Sequence, residues 1–422
     1  MSTDRPLIVE GVYANTDSEE YGQIAIDRLN GLIVDIGKKL GKADIITNST
    51  SRIFPGFIDN HVHAREDASG QHLYKEDFNS ASLAAIAGGV VAIADMPNNP
   101  VPPVDDESYS SKKELSRAAK VPILHFAAIG ENTQKLKIDV PYKMFMASSF
   151  DGLAFNNAAQ IREALSKYKN CSVSFHAEHP EILALNRHGK THEQRRPIEA
   201  EVEATRLAIE LCKENSIRGR IIHCASAEAA SLVMDAQKDG TDVICEITPH
   251  HLYFDEAMIT KFNRNALIIN TPIRPIEDRM FLIEQLRAGN LDSLGTDHSP
   301  HTLEEKRRGT PGMPHLDTYA AFATWLAKEH NYSMQDIARI CSANPARFQN
   351  EYTGERYGRI EEGYTGSLTI LDFDSPVKGG DLKLQTKTGW TPFNDVVFPG
   401  RPLYTVIKGT PYDALTASPI PV

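Results

Sequence analysis

From residue 54 to residue 296 the chain repeats one plan, a short run apolar on both faces followed by a stretch of helical periodicity. The runs lie at 54–59, 90–95, 123–128, 143–146, 173–176, 220–223, 243–247 and 293–296. A strand with no polar face must be covered on both sides, and alternation with helices supplies that cover, so the pattern predicts a parallel sheet. Helices predicted at 198–215, with two apolar residues per turn and Glu and Arg elsewhere, and at 276–288 fit the role. Eight such units over roughly 250–300 residues have the size of a (β/α)8 TIM-type barrel. The competing arrangement is an open doubly wound sheet, but no Gly-x-Gly-x-x-Gly follows the first strand.

The ends of the chain have a different texture. Short strands are expected at 7–12, 23–26 and 32–36, with Asn30-Gly31 as a hairpin signal between the last two. Runs at 367–371 and 403–407, with Gly and Pro between them, look the same. Neither end has enough apolar surface to stand alone, so both are expected to build one small β-domain. The expected organisation is 1–52 and 361–422 for that domain and 53–360 for the catalytic barrel.

The chain of 422 residues carries a formal charge of −11, which argues against nucleic acid or an acidic membrane as partner. An anionic small molecule would need a local positive site. No apolar run approaches the roughly 18–20 residues of a membrane span, and the first residues lack the plan of a signal peptide. Five cysteines form no Cys-x-x-Cys and leave an odd one over, as in a reducing cytosol. The expected location is the cytoplasm.

In a barrel of this type the chemistry sits at the C-terminal ends of the strands. The stretch Pro55-Gly-Phe-Ile-Asp-Asn-His61-Val-His63-Ala-Arg65-Glu66 ends the first run. Residues two apart on a strand point the same way, so both imidazoles can aim at one metal ion. Arg65, a further step of two along, can hold a planar carboxylate. Later strands add Lys143, His176, His223, Glu246 and Asp297. Four histidines and a carboxylate, each pair or single group on its own strand end, point to a metal site.

Four stretches carry a resemblance. They are the one from Gly56 to Glu66, Ala-Gly-Gly-Val-Val-Ala-Ile-Ala-Asp-Met-Pro-Asn98-Asn-Pro, Ile-Thr-Pro-His-His-Leu, and Thr-Asp297-His-Ser-Pro-His301-Thr-Leu-Glu-Glu-Lys306. From about residue 53 to 348, and again around 390 to 409, the chain resembles the dihydroorotases of the cyclic-amidohydrolase superfamily. The resemblance implies two Zn²⁺ ions, one held by His61, His63 and Asp297 and the other by His176 and His223. Lys143, carboxylated by CO₂, would bridge them. A hydroxide between the metals would attack a ring amide carbonyl, and Asp297 would carry its proton to the departing nitrogen. Arg65, Asn98 and His301 would bind a substrate carboxylate, Asn270 would contact the ring, and Glu246 would orient a metal ligand. The implied reaction interconverts N-carbamoyl-L-aspartate and L-dihydroorotate in pyrimidine synthesis, by an enzyme for which a homodimer is left open. Alternatives are a hydrolase of a hydantoin, dihydropyrimidine or allantoin, and a non-catalytic scaffold.

Three departures from the family pattern stand out: Thr271 in place of a second Pro, the loop 309–315, and Ser367-Leu368-Thr369. The loop bears on ring specificity. His250 and His251 read as local structure, Cys224 as packing, and Lys75-Glu76-Asp77 and Arg195-Arg196 as surface or loop charges. His72, His125, His179, His188, His192 and His315 have no supporting context. A loop at 147–155 is placed to cover a substrate, with Ser148 and Ser149 as its polar groups.

Overall fold

The computed structural model describes residues 5–147, 152–261 and 263–421. Ser148 and Ser149 lie outside the described residues. Parallel strands form two arcs. Phe57–Val62, Val90–Asp95 and Ile123–His125 make the first. Ala127–Ile129, Tyr142–Phe145, Ser172–His176, Arg218–Ile221, Val243–Ile247 and Ser293–Leu294 make the second. Only Phe126 separates the arcs at one seam, and Val62 bridges to His298 in parallel at the other. The result is a closed eight-position barrel, with helices such as Ile198–Asn215 and Ile276–Arg287 between its strands.

Three of the expected runs differ in detail. The run at 54–59 is broken at Gly56, because Ser51–Pro55 pairs antiparallel with Leu368–Asp372 outside the barrel. A Cβ at Gly56 would come within 2.4 Å of the Val91 side chain, so only glycine lets the chain pass from one sheet into the other there. The run at 123–128 serves both arcs as two strands. The eighth strand is only Ser293–Leu294, since the chain turns inward early toward Asp297.

Both chain ends build one sheet, in the order Ser418–Pro419, Thr410–Asp413, Arg401–Ile407, Leu368–Asp372, Ser51–Pro55, Leu7–Ala14, Glu19–Ile26, Ile33–Gly37. Asn30-Gly31 sits in the turn of an antiparallel hairpin, with Gly31 at φ 72°. Leu7, Val9, Ile24, Ile53, Leu368 and Val406 form the core of this sheet. Thr369, one of the departures, ties it to the barrel: its hydroxyl accepts from the Phe57 amide at 2.9 Å and donates to the Gly89 carbonyl at 2.6 Å. Among the described residues no helix is long and apolar enough to cross a membrane, and all five cysteines are buried and free.

Phe393 brings a later segment onto the barrel's outer layer. Its buried ring stacks on Phe254 at 5.4 Å and meets Tyr253, Phe322 and Phe398 at 5.5–5.8 Å between centroids. Phe393→Ala is expected to cost about 3–5 kcal/mol, the loss of transfer energy plus a cavity. Equilibrium unfolding in urea measures it, and a change below about 1 kcal/mol would remove Phe393 from the core.

Candidate metal centre

At the C-terminal mouth of the barrel a cavity of about 310 Å³ receives side chains from six strand ends. On its floor His61 and His63 present Nε2 to one carboxylate oxygen, Asp297 Oδ1, at 3.1 and 3.0 Å. These three donor atoms lie within 4.8 Å of one another. The opposite ring nitrogens are already engaged. His61 Nδ1 is 2.6 Å from Glu246 Oε1, and His63 Nδ1 is 2.5 Å from Asn98 Oδ1. Protons held at those Nδ1 atoms leave the Nε2 lone pairs facing the cavity, the tautomer a metal needs. Arg220 in turn donates to Glu246 Oε2 at 2.8 Å.

His176 and His223 form a second group, with His176 Nδ1 2.8 Å from His223 Nε2. His176 Nε2 lies 2.8 Å from Glu178 Oε2, and Arg196 neutralises that carboxylate. Between the groups Lys143 enters from the fourth strand, 1% exposed, its Nζ without a hydrogen-bond partner and 4.7 Å from the Phe145 ring centroid. Burial drives its pKa well below the lysine value, which favours the neutral amine.

The charges on the floor balance one another. Burial works against charge on His61, yet Asp297 and Glu246 push it up to about 9. Burial likewise opposes the Asp297 carboxylate, and His61 and His63 hold it well below the usual range. Burial takes His63 down to about 4. A carboxylate wedged between two imidazoles favours a cation beside it. The donor set fits metal ions: two imidazoles and a carboxylate for one, two imidazoles for another, and an orphaned amine facing both.

The cavity also has a basic wall. Arg65 donates to Ser299 Oγ and lies 3.2 Å from His301 Nε2, while its Nε has no partner. Burial lowers Arg65 to about 10, still a cation at neutral pH. Burial, then Arg65 and Lys75, keep His301 deprotonated. Asn98 and Asn270 line the same space, and the Asn270 Oδ1 is buried and unpartnered. Arg65, His223 and Asp297 all have positive φ, at 65°, 43° and 52°. Such non-glycine conformations cost energy and concentrate at functional sites.

The predicted residues thus all gather around one cavity, Glu246 from behind His61. Others escaped the sequence reading. Lys75 and Glu76, which in sequence look like surface or loop charges, are 6% and 0% exposed. Lys75 lines the cavity, 3.4 Å from His301 Nδ1 and 2.8 Å from Glu305, and His72 lines it too. Arg196, also read as a loop charge, is tied to Glu178. Glu178 and Ser299 stand two residues beyond His176 and Asp297, so the same alternation that flagged His63 after His61 would have found them. His251 makes a local contact with the Thr248 hydroxyl at 2.8 Å, but it also reaches the Thr271 carbonyl and His250 reaches His315, both at 3.0 Å and distant in sequence.

Known proteins place this geometry. Residues 52–411 match the amidohydrolase family, and the chain belongs to it. A dihydroorotase of Thermococcus kodakarensis is 30% identical over 415 residues, covering 96% of this chain and 93% of the relative. A dihydroorotase of Clostridium botulinum is 29% identical over 391 residues, 90% and 92% of the two chains. Among solved structures, the L-hydantoinase (dihydropyrimidinase) of Arthrobacter aurescens superposes with a TM-score of 0.87 at 22% identity, over 99% and 98% of the chains. The D-hydantoinase (dihydropyrimidinase) of a Thermus species gives 0.85 at 20%, over 99% and 97%. The protein is a cyclic amide hydrolase of a metal-dependent family.

Proposed function

We propose that the enzyme is a two-zinc dihydroorotase that interconverts N-carbamoyl-L-aspartate and L-dihydroorotate in pyrimidine synthesis. The observation that carries this reading is the buried Arg65 guanidinium, which lines the same cavity as the ligand cluster and whose Nε–H has no hydrogen-bond partner among the described residues. A ring bearing a carboxylate has a partner there, while a plain hydantoin or dihydropyrimidine would leave a buried cation unmatched.

His61, His63 and Asp297 would hold one ion and His176 and His223 the other. In its neutral form the Lys143 amine can add to CO₂ through its lone pair, forming an N–C bond and giving up a proton to solvent, and the resulting carbamate would supply an anion to hold the ions. Such a pair supplies, when bound, a water acidified toward neutral pH and a Lewis acid for the ring carbonyl. Arg65 binds the substrate carboxylate, joined by the Asn98 amide, whose Oδ1 is already committed to His63. The neutral His301 keeps a ring nitrogen available beside the guanidinium. Asp297 takes the proton of the attacking water and returns it to the ring nitrogen as the carbonyl C–N bond breaks. Glu246 and Glu178 keep His61 and His176 in the orientation and tautomer this requires.

Hydrolysis of L-dihydroorotate, hydantoin and dihydrouracil by the wild type and by Arg65→Ala tests the reading. The wild type should prefer dihydroorotate, and Arg65→Ala should lose about 10²–10³-fold in kcat/KM on it. Unchanged dihydroorotate kinetics in the variant would mean the substrate is wrong. A wild type that opens only the uncharged rings would move the assignment to the hydantoinase type of reaction.

A further inference from the structure

The helix Leu303–Arg307 carries a lysine that the chemistry above leaves unused. Lys306 is 2% exposed, and its ammonium donates to three backbone carbonyls, Ile268 at 2.8 Å, Thr310 at 2.8 Å and Gly312 at 2.7 Å. No carboxylate is among these partners. The helix itself is firmly started, by a capping box between Thr302 and Glu305, so the lysine stem leaves a fixed base. The three carbonyls belong to the two segments that wall the cavity. Thr310, Pro311 and Gly312 line it on one side, and Asn270, two residues beyond Ile268, lines it on the other. Gly312 at φ 117° also packs against Ser299, where a Cβ would come within 2.8 Å of the Oγ that takes a hydrogen bond from Arg65.

We propose that Lys306 is a positioning residue: its ammonium draws the segments around Ile268 and Thr310–Gly312 together and so sets the wall against which the substrate ring lies. The Gly312 amide also donates to the Ile268 carbonyl at 3.0 Å, so the segments share one direct bond; an apolar side chain of the same length would fill the space but leave the Thr310 and Gly312 carbonyls without their donor, and Thr310–Gly312 would shift to find water. An ammonium offers three protons to three acceptors, and a neutral amine offers only two. Burial alone draws Lys306 down to about 7, and the three carbonyl oxygens favour the protonated form in return. The loop 309–315 departs from the family pattern in sequence, yet its carbonyls are fixed by a residue outside it. Ring recognition by backbone groups can then survive changes in the loop's own side chains.

This inference rests on the dihydroorotase reading for its kinetic part only. Lys306→Met and Lys306→Gln are compared with wild type for dihydroorotate kinetics, metal per chain, and the rate of tryptic cleavage after Arg307 or Arg308, both exposed. Lys306→Met is expected to raise KM about tenfold, with kcat within about threefold and metal content unchanged, since the wall contributes binding rather than bond breaking. Cleavage beside the freed loop should be faster. Lys306→Gln, with two amide protons, should fall between. An unchanged KM together with unchanged cleavage would overturn the proposal, as would failure of both variants to fold, which would make Lys306 an element of the fold. If Lys306→Met alone fails to fold, Lys306→Gln decides by the same two readouts. A wild type inert toward dihydroorotate would sink the substrate reading instead, and cleavage would still report whether Lys306 pins the loop.

Discussion

Lys143→Ala is expected to fold normally, to hold fewer metal ions than wild type, and to lose at least about 10⁴-fold in kcat, the scale on which electrostatic and metal-supplied stabilisation contributes. The expectation rests on the isolation of the amine. Among the described residues only the Phe145 ring faces Nζ and no hydrogen-bond acceptor does, and a buried lysine without an acceptor is costly unless it serves the chemistry of the site. Truncation removes that cost, so unfolding in urea should occur at or above the wild-type midpoint even as activity disappears. Elemental analysis of purified protein, with dihydroorotate hydrolysis before and after chelation, measures both sides. Wild type should carry close to two zinc ions per chain. A variant that kept the wild-type metal content and turnover would end the bridging role of Lys143.

Asp297→Asn is the second large effect, with kcat lowered about 10³–10⁴-fold and KM changed little. The amide keeps the shape of the side chain but cannot take a proton from water, and the hydrogen-bonding partners of Asp297 are His61 and His63. Removing its charge also removes the main support for the proton on His61, whose pKa should drop from about 9 toward that of His63. NMR titration of the histidines in the metal-free variant reads that shift independently of turnover. Activity within tenfold of wild type would rule out Asp297 as the proton carrier.

The legible part of this molecule was the part governed by local periodicity. His61 and His63 could be placed on one face because strand side chains repeat every two residues. The barrel followed from runs that lack a polar face, and the terminal sheet from short strands too poor in apolar surface to stand alone. What local pattern does not carry is the partner of a charge far away in sequence. Lys75 reads as a surface lysine because Glu305 and His301 stand more than two hundred residues further on. Arg196 reads as a loop charge because nothing near it announces Glu178 as its partner. Strand ends were displaced for a related reason: the break at Gly56 is imposed by Leu368–Asp372, whose approach no pattern around residue 56 encodes. Lys306 was visible only as a letter in a motif, since its three partners are carbonyls, which every residue has.

The interleaved sheet sets the order in which the molecule can be made. Ser51–Pro55 leads directly into the first barrel strand, yet the strand that flanks it, Leu368–Asp372, is synthesised 317 residues after Pro55. At about 5–20 residues per second, that edge waits roughly 15–60 s for its neighbour. During that time the nascent chain holds an open row of backbone donors and acceptors, and pairing with another chain is the hazard. His61 and His63, just after Pro55, are made early in that interval, while Asp297 follows more than two hundred residues later. Maturation of the centre is therefore a late event, and conditions that slow synthesis or crowd nascent chains should lower the yield of active enzyme before they lower its stability.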